Sequence, residues 1–258
     1  MRALVTGAGA RLGQAMALYL GGRGYDVAVH YASSDDGAQD TVNQIKAMGR
    51  NAIALQADLL DEDAAQALVQ RAVDGLAGPL TCLINNASIF EYDTVDNATR
   101  KSWDRHMESN LRAPFVLTQN FAKQAPKAVV DDAGEPIAQA MVLNMLDQRI
   151  HKLTPEFMTY TIAKMGLWAL TQTTAQGLAP HVRVNGIGPG PTLQGHRQSA
   201  GHFAQQRAAT VLERGANPKD ITAALGYFLD AGAVTGQMIS VDGGQHLAWQ
   251  TPDILGVE

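Results

Sequence analysis

The sequence predicts one α/β domain, a doubly wound parallel sheet with helices on both faces, and three observations carry that expectation. Short apolar runs alternate with longer helix-compatible stretches along the chain. A glycine-rich turn joins the first apolar run to the first helical stretch. Neither an interdomain linker nor a sequence repeat interrupts the pattern, so residues 1–258 are read as a single domain.

The runs at 3–5, 27–29, 52–55, 80–84, 141–143, 182–187 and 238–241 are read as strands. Each is short, mostly apolar and rich in Val, Ile or Leu, which suits strands covered on both faces. Helix-compatible stretches lie between them at 12–22, 36–48, 61–77, 98–124, 155–178 and 218–229. Strand–helix alternation implies right-handed crossovers, which stack parallel strands into one sheet. Pro155 suits the first turn of helix 155–178. Tyr160, Ile162, Ala163, Met165, Leu167, Trp168 and Leu170 spread apolar groups around much of that helix, so more than one of its faces is expected to be buried. Another subunit is the expected cover for the second face; loops of the same chain are the alternative. Residues 188–215, with Gly195, His196, Arg197, Ser199 and Gly201, read as a substrate lid over the crevice, the polar His196 and Arg197 as solvated. Residues 245–258 read as a C-terminal tail.

Twenty basic residues against 25 acidic ones give a formal charge of -5, and no stretch concentrates Lys and Arg. That pattern excludes the electrostatic footprint of a nucleic-acid binder, so anionic ligands must be held by local groups. The 46% hydrophobic content supplies a core but no run long enough for a membrane span. Cys82, the only cysteine, sits beside Leu83 and Ile84 and reads as a buried strand thiol. The start of the chain lacks the features of an export signal, so a cytoplasmic protein is expected. No metal site is expected.

The first strand runs into Thr6-Gly7-Ala8-Gly9-Ala10-Arg11-Leu12-Gly13. Glycines allow a sharp turn and close backbone approach to a pyrophosphate, and the following helix start offers unpaired N–H groups and partial positive charge. A glycine-rich loop can also be a plain turn; a strand before and a helix after favour the dinucleotide-binding reading. An NAD site usually carries a carboxylate at the end of the second strand. Here Val29-His30-Tyr31-Ala32-Ser33-Ser34 has none before Asp35. His30, Ser33 and Ser34 can instead donate to a 2′-phosphate, with Arg11 adding charge, and NADP(H) is the expected cofactor. The alternative is that His30 packs within the strand and Ser34 caps the next helix.

Tyr160 and Lys164 stand one helical turn apart on the same face. An ammonium beside a phenol stabilises the phenolate, so the Tyr160 pKa is expected to fall toward neutrality and the phenol to exchange a proton with substrate. Asp147 follows a strand whose C-terminal end faces the same crevice. Asn110, in Glu108-Ser109-Asn110-Leu111-Arg112, is polar within an otherwise core-facing stretch.

Thr6-Gly7 through Gly13, Asp58-Leu59, Asn85-Asn86-Ala87-Ser88, Asn110, Tyr160 with Lys164, Arg183-Val184-Asn185, Pro189-Gly190 and Val241-Asp242-Gly243-Gly244 together resemble the short-chain dehydrogenase/reductase family, in its order and spacing. The resemblance implies that Gly7, Arg11, Leu12, Gly13, Asp58, Leu59, Asn86 and Ala87 border the dinucleotide, Asp58 at the adenine and Asn86 and Ala87 at its ribose. Tyr160 would be the proton donor, with Lys164 on the nicotinamide ribose. Asn110 would hold a relay water, and Pro189, Gly190 and Thr192 would line the nicotinamide pocket. A tetramer is typical of the family.

Two departures narrow the expectation. Asp147 stands where most of the family has serine, and Arg11 where most has glycine. With Ser88-Ile89-Phe90, these resemble the pteridine reductase branch. A carboxylate can accept hydrogen bonds from a pterin's amino groups or relay a proton to a ring nitrogen. Phe90 can stack on the flat ring, unless it is a core aromatic, and Arg11 can reach both cofactor phosphate and pterin edge, unless it only neutralises the pyrophosphate. The expected substrate site is Arg11, Ser88, Phe90, Asp147 and Tyr160. The expected reaction is NADPH-dependent reduction of a pteridine such as a dihydropterin. A carbonyl or 3-oxoacyl reductase is the alternative among enzymes, and a catalytically silent NADP(H)-binding regulator the alternative outside them.

The missing acid after the second strand yields a first test. NADPH should bind more tightly than NADH by about 2–3 kcal/mol, the scale of a charge-assisted hydrogen bond. Titration of both nucleotides checks it, and equal or better NADH affinity overturns it.

Overall fold

Parallel strands β1 (Arg2–Val5), β2 (Asp26–Tyr31), β3 (Ala52–Gln56) and β4 (Cys82–Asn85) alternate with helices α1 (Arg11–Gly22), α2 (Asp35–Ala47) and α3 (Glu62–Gly75) in the computed structural model, which describes residues 1–195 and 198–251. The chain continues through α4 (Arg100–Met107), α5 (Ala113–Gln124), an antiparallel pair β5 (Val129–Val130) and β6 (Pro136–Ile137), then β7 (Ala140–Met145) and α6 (Met158–Leu178). It ends with β8 (Val182–Pro189), α7 (Ala200–Ala208), α8 (Pro218–Asp230) and β9 (Met238–Val241). The main sheet has seven strands in the order β3-β2-β1-β4-β7-β8-β9. All the strands expected from the apolar runs form, in a single Rossmann-like domain.

Alternation within each strand divides the core between two layers, because successive side chains leave opposite faces of a sheet. Ala3, Val5, Val27, Val29, Cys82, Ile84, Met141 and Leu143 face the α1–α2–α8 side, where Met16, Leu20, Ile45 and Phe228 cover them. Leu4, Ala28, Leu83 and Val142 face the other layer, with Leu68, Leu117 and Phe121. Cys82 is fully buried, and burial pushes its thiol up to about 12. Arg183 donates to the carbonyls of Phe228, Ala231 and Val234, fastening the end of α8 to β8, and Asn185 holds Val234 and Gln237.

Two local expectations change, and two elements appear where the sequence pattern showed none. The stretch 98–124 is not one helix: a π-helical turn at Glu108–Arg112 separates α4 from α5 and turns Asn110 inward, where it is fully buried. Helix α6 starts at Met158, after Pro155, because Phe157 adopts a left-handed backbone with φ 54°. Residues 129–137 form an exposed hairpin that carries no core pattern to betray it. The expected lid contains α7, which buries none of its residues and so shows no apolar stripe. His196 and Arg197 lie outside the described residues.

Ile162 and Met165 of α6 and Phe115 of α5 remain exposed, and no loop among the described residues covers them. Among the described residues no helix is long and apolar enough to cross a membrane, and no cluster of three or more His, Cys, Asp or Glu is placed to hold a metal.

Where the strand order reverses, between β1 and β4, the chain crosses to opposite faces and leaves a crevice at the carboxyl ends of the strands. A buried polar ladder stiffens its floor. Asn85 donates to Asn144 at 2.8 Å, Asn144 donates to Thr171 at 2.9 Å, and Thr171 donates to the Leu167 carbonyl. Asn144→Leu keeps the volume near constant but strands the groups on either side. It should destabilise the fold by about 1–3 kcal/mol, the penalty for unsatisfied buried polar groups. A shift of the urea midpoint measures this; an unchanged midpoint would show the ladder contributes nothing.

Candidate active site

The glycine turn is built by close packing. Gly7 has φ +62°, and a Cβ at Gly13 would lie 2.1 Å from the Gly7 carbonyl oxygen, so neither position takes a side chain without strain. Thr6 and Asn86 clamp the turn to the end of β4. The Thr6 hydroxyl accepts from the backbone N–H groups of Asn86 and Ala87, and the Asn86 amide donates to the Thr6 and Gly7 carbonyls. Ala10 precedes α1 and supplies no side-chain cap, so the first-turn N–H groups, at Arg11, Leu12 and Gly13, keep their donor capacity for an anion.

His30 departs from the expected role. Its ring is 1% exposed, accepting from the Gly7 N–H at 3.0 Å through Nδ1 while Nε2 lies 3.1 Å from the Ala57 carbonyl. Both nitrogens are spent inside the protein, and burial lowers the imidazole to about 4. His30 therefore shapes the glycine turn and is no donor to a phosphate. Ser33 and Ser34 are exposed, and Ser34 makes no capping bond to α2, so its hydroxyl is unspent. Asp58 is exposed and accepts from the Leu60 N–H, while the Leu59 side chain is buried in the core.

Arg11, with φ 53°, reaches across the crevice and donates to the carbonyls of Leu193 and Gln194 at 3.1 and 2.9 Å. It ties the glycine turn to the segment after β8. In that segment the Gly190 N–H bonds the Val241 carbonyl, a Cβ on Gly190 would meet Asp242 at 2.5 Å, and the Thr192 hydroxyl donates to Gly190. Pro189, Gly190 and Thr192 are thus fixed against the end of β9.

Tyr160, Asp147 and Lys164 meet at the crevice floor. The Tyr160 hydroxyl donates to Asp147 Oδ2 at 2.8 Å, and Asp147 Oδ1 accepts from the Arg149 N–H at 2.9 Å. Lys164 Nζ donates to the Met145 carbonyl at 2.7 Å and lies 5.6 Å from the Tyr160 ring centre. Burial raises Asp147 above the usual carboxylate range, against the hydrogen bonds from Arg149 and Tyr160. Burial also lowers Lys164 to about 8, partly offset by Asp147. The expected drop in the Tyr160 pKa is corrected: burial first, then the neighbouring carboxylate, push it well above the ordinary value for a tyrosine. A phenolate beside Asp147 would place two negative charges together in a largely desolvated site, which outweighs the more distant ammonium. Tyr160 is held protonated, ready to donate.

Aromatic rings form one wall. Phe90 is 48% exposed, so it is no core aromatic. It stacks on Phe157 at 4.2 Å with planes 7° apart and meets Tyr160 edge-on at 4.7 Å. The Arg149 guanidinium lies 4.9 Å from the Phe157 ring centre. The Ser88 hydroxyl lies 3.5 Å from the Ile89 carbonyl and slightly opposes the rise in the Tyr160 pKa. Asn110 grips this loop from behind, accepting from the Ile89 N–H at 2.9 Å and donating to its carbonyl at 2.8 Å. Sequence reasoning missed Phe157 and Arg149, since neither sits in a motif and only the fold brings them to Phe90.

Comparison with known proteins agrees with this geometry. Residues 1–204 match the short chain dehydrogenase family. The chain is similar to two solved FolM alternative dihydrofolate reductase 1 structures with NADP, from Brucella canis and Brucella suis. Each is 40% identical with a TM-score of 0.90, covering 98% of this chain and 96% or 98% of theirs. It is also 30% identical, over 95% of its length and 98% of the relative's, to the 3-oxoacyl-[acyl-carrier-protein] reductase FabG of Staphylococcus aureus.

The buried imidazole of His30 links stability to pH. An unfolded histidine protonates near 6.5, whereas His30 stays neutral in the fold down to about 4. Between those values the unfolded chain binds the extra proton, so stability is full above the upper value, falls with pH, and levels off below the lower one. The loss is on the order of 3 kcal/mol. His30→Gln removes the titration and should flatten that part of the acid loss, whatever it costs at neutral pH. Urea unfolding of both proteins at pH 7 and about pH 4.5 reads the difference; an equally steep loss in the variant would place the linkage elsewhere.

Proposed function

The chain belongs to the short chain dehydrogenase family, and on that premise we propose that it is an NADPH-dependent reductase of a pteridine, a dihydropterin being the model substrate. The observation that carries this is the half-buried carboxylate of Asp147 bonded to the Tyr160 hydroxyl beside the Phe90 ring. Even partial burial of a carboxylate costs free energy unless a partner uses it. A carbonyl oxygen offers no hydrogen for Asp147 to accept, whereas the amino-pyrimidine edge of a pterin offers several. The FolM structures, 40% identical and described as dihydrofolate reductases, support the same substrate class.

The residues present fit the cofactor. Uncapped first-turn N–H groups of α1 suit a pyrophosphate, and the unspent Ser34 hydroxyl with Ser33 suits a 2′-phosphate, now without His30; Arg11 would join them only by leaving the Leu193 and Gln194 carbonyls. Asn86, Ala87 and Asp58 are assigned to the adenine half, and Lys164, Pro189, Gly190 and Thr192 to the nicotinamide half. The nicotinamide supplies the hydride. Phe90 holds the flat substrate by stacking, and closure of residues 188–215 excludes water. Tyr160 delivers the proton that balances the hydride, and Asp147 either replenishes it or orients the amino-pyrimidine edge. Asn110 holds the Ser88–Phe90 loop in place through Ile89.

The second reading is a carbonyl or 3-oxoacyl reductase, favoured by the Staphylococcus aureus relative and by the paired Tyr160 and Lys164. A silent NADP(H)-binding regulator has no use for a protonated Tyr160 aimed into the crevice. The exposed Ile162, Met165 and Phe115 support a homo-oligomer joined through α5 and α6, a tetramer by family habit. The lone buried thiol Cys82 suits a reducing cytoplasm.

Asp147→Ser separates the two substrate classes. It should lower pterin reduction by about 10- to 1,000-fold while sparing or improving turnover of a simple activated ketone. Tyr160→Phe should lower both by about 10²-fold or more with NADPH binding retained. NADPH oxidation followed by absorbance, with both substrate classes and each protein, checks these values. An unaltered enzyme that reduces ketones and ignores every pterin overturns the pteridine assignment.

A further inference from the structure

Behind the aromatic wall lies a buried polar chain that the proton-transfer groups do not use. His106 of α4 is fully buried, and its Nε2 accepts from the Glu91 N–H at 3.1 Å. An acceptor at Nε2 places the ring proton on Nδ1, which lies 2.6 Å from the Thr159 hydroxyl. Thr159 in turn gives its hydroxyl hydrogen to Asp93, itself 2% exposed. Only a neutral imidazole protonated at Nδ1 satisfies both ends. Burial lowers the His106 pKa and so favours that neutral form, although the nearby Asp93 and Glu91 act the other way.

Asp93 also answers a local defect in α6. The residue before that helix, Phe157, is apolar and left-handed, and it provides no side-chain cap. The cap comes instead from the Phe90 loop: the Asp93 carbonyl accepts from the Met158 N–H at 3.2 Å, and its carboxylate accepts from the Thr159 N–H at 3.1 Å. A carboxylate at a helix start is favoured by the helix dipole as well as by these bonds. Burial alone would raise the Asp93 pKa, but the two hydrogen bonds from Thr159 do most to outweigh it. The next residue in the helix is Tyr160, and Phe90 precedes Glu91 directly.

We propose that His106 and Asp93 are positioning residues, which lock the Phe90 loop onto the first turn of α6 and thereby fix the gap between Phe90 and Tyr160 that receives the substrate ring. His106 holds the Phe90 side of the gap through Glu91, and Asp93 holds the Tyr160 side through Thr159. This rests on the substrate wall assigned above, not on the substrate being a pterin. A lock of this kind acts on substrate placement and leaves the dinucleotide turn, on the far side of β4, untouched.

The test compares His106→Phe, which keeps a ring but breaks both bonds, with His106→Gln, which keeps an acceptor for the Glu91 N–H. His106→Phe should raise KM about 10-fold or more, with kcat within about 3-fold, and NADPH affinity should not change. His106→Gln should recover most of the KM. Hydrogen exchange on the ligand-free chain supplies a reading independent of turnover: segments 88–95 and 157–162 should exchange faster in His106→Phe, with β1 and α8 unchanged. Asp93→Asn, which still accepts from the Thr159 N–H, should lie between the unaltered protein and Asp93→Ala in the exchange of 157–162. Unchanged KM and exchange in His106→Phe would overturn the proposal, as would faster exchange throughout the chain with NADPH affinity lost, which marks a purely structural role. Should no pterin be reduced, the KM arm runs on whichever ketone the enzyme accepts, so the pteridine assignment can fail while the lock is still judged.

Discussion

Reversal of the strand order at β1 is the constraint on which the rest of this molecule depends. With β2 on one side of β1 and β4 on the other, successive crossovers pass to opposite faces of the sheet and cannot cover the strand ends between them. The end of β1 supplies the glycine turn, β4 supplies Asn86 and the Ser88–Phe90 loop, and β7 supplies Asp147. Groups far apart in the chain therefore converge on one crevice without any of them having to leave its own layer. The clamp between Thr6 and Asn86 joins the two strands that border it.

Burial then decides what the converged groups can do. Tyr160 and Lys164 are buried and Asp147 half-buried beside them, so charge there is more expensive than in water and a proton is placed by whichever charge it avoids creating. Asp147 is close enough to Tyr160 to accept its proton in a hydrogen bond, whereas Lys164 is tied to the Met145 carbonyl. Burial first, and then the nearby carboxylate, decides the outcome. The result is a phenol held as a donor, which is the state a reduction needs, and a carboxylate whose second oxygen is fixed by the Arg149 N–H.

The same economy appears in groups that never face the crevice. His30 and His106 are both buried histidines whose two ring nitrogens are committed to protein partners. Each fixes a neighbouring loop: His30 the glycine turn, His106 the segment carrying Phe90. Neutral imidazole is well suited to this, since it offers one donor and one acceptor at a set angle and fills apolar volume. Both histidines hold functional loops from behind.

Composition and pattern determined a good deal of this protein by themselves. Runs of Val, Ile and Leu without polar alternation marked every strand of the main sheet, because strands covered on both faces leave no polar positions. Gly7, Gly9 and Gly13 marked the turn, since backbone geometry there admits little else, and Tyr160, Lys164 and Asp147 stood out by type and order. Tertiary structure alone decided the rest. That His30 faces inward depends on Gly7 and Ala57, which adjoin it only once three strands are side by side. The rise in the Tyr160 pKa depends on a distance to Asp147 that no spacing rule contains. Phe157 took a left-handed conformation, so α6 began past Pro155, and Asp93 arrives from another loop to cap the helix. Local sequence fixes which backbone shapes are cheap, but a pKa, a cap supplied from elsewhere and a side chain's choice of face are set by neighbours that only folding brings near.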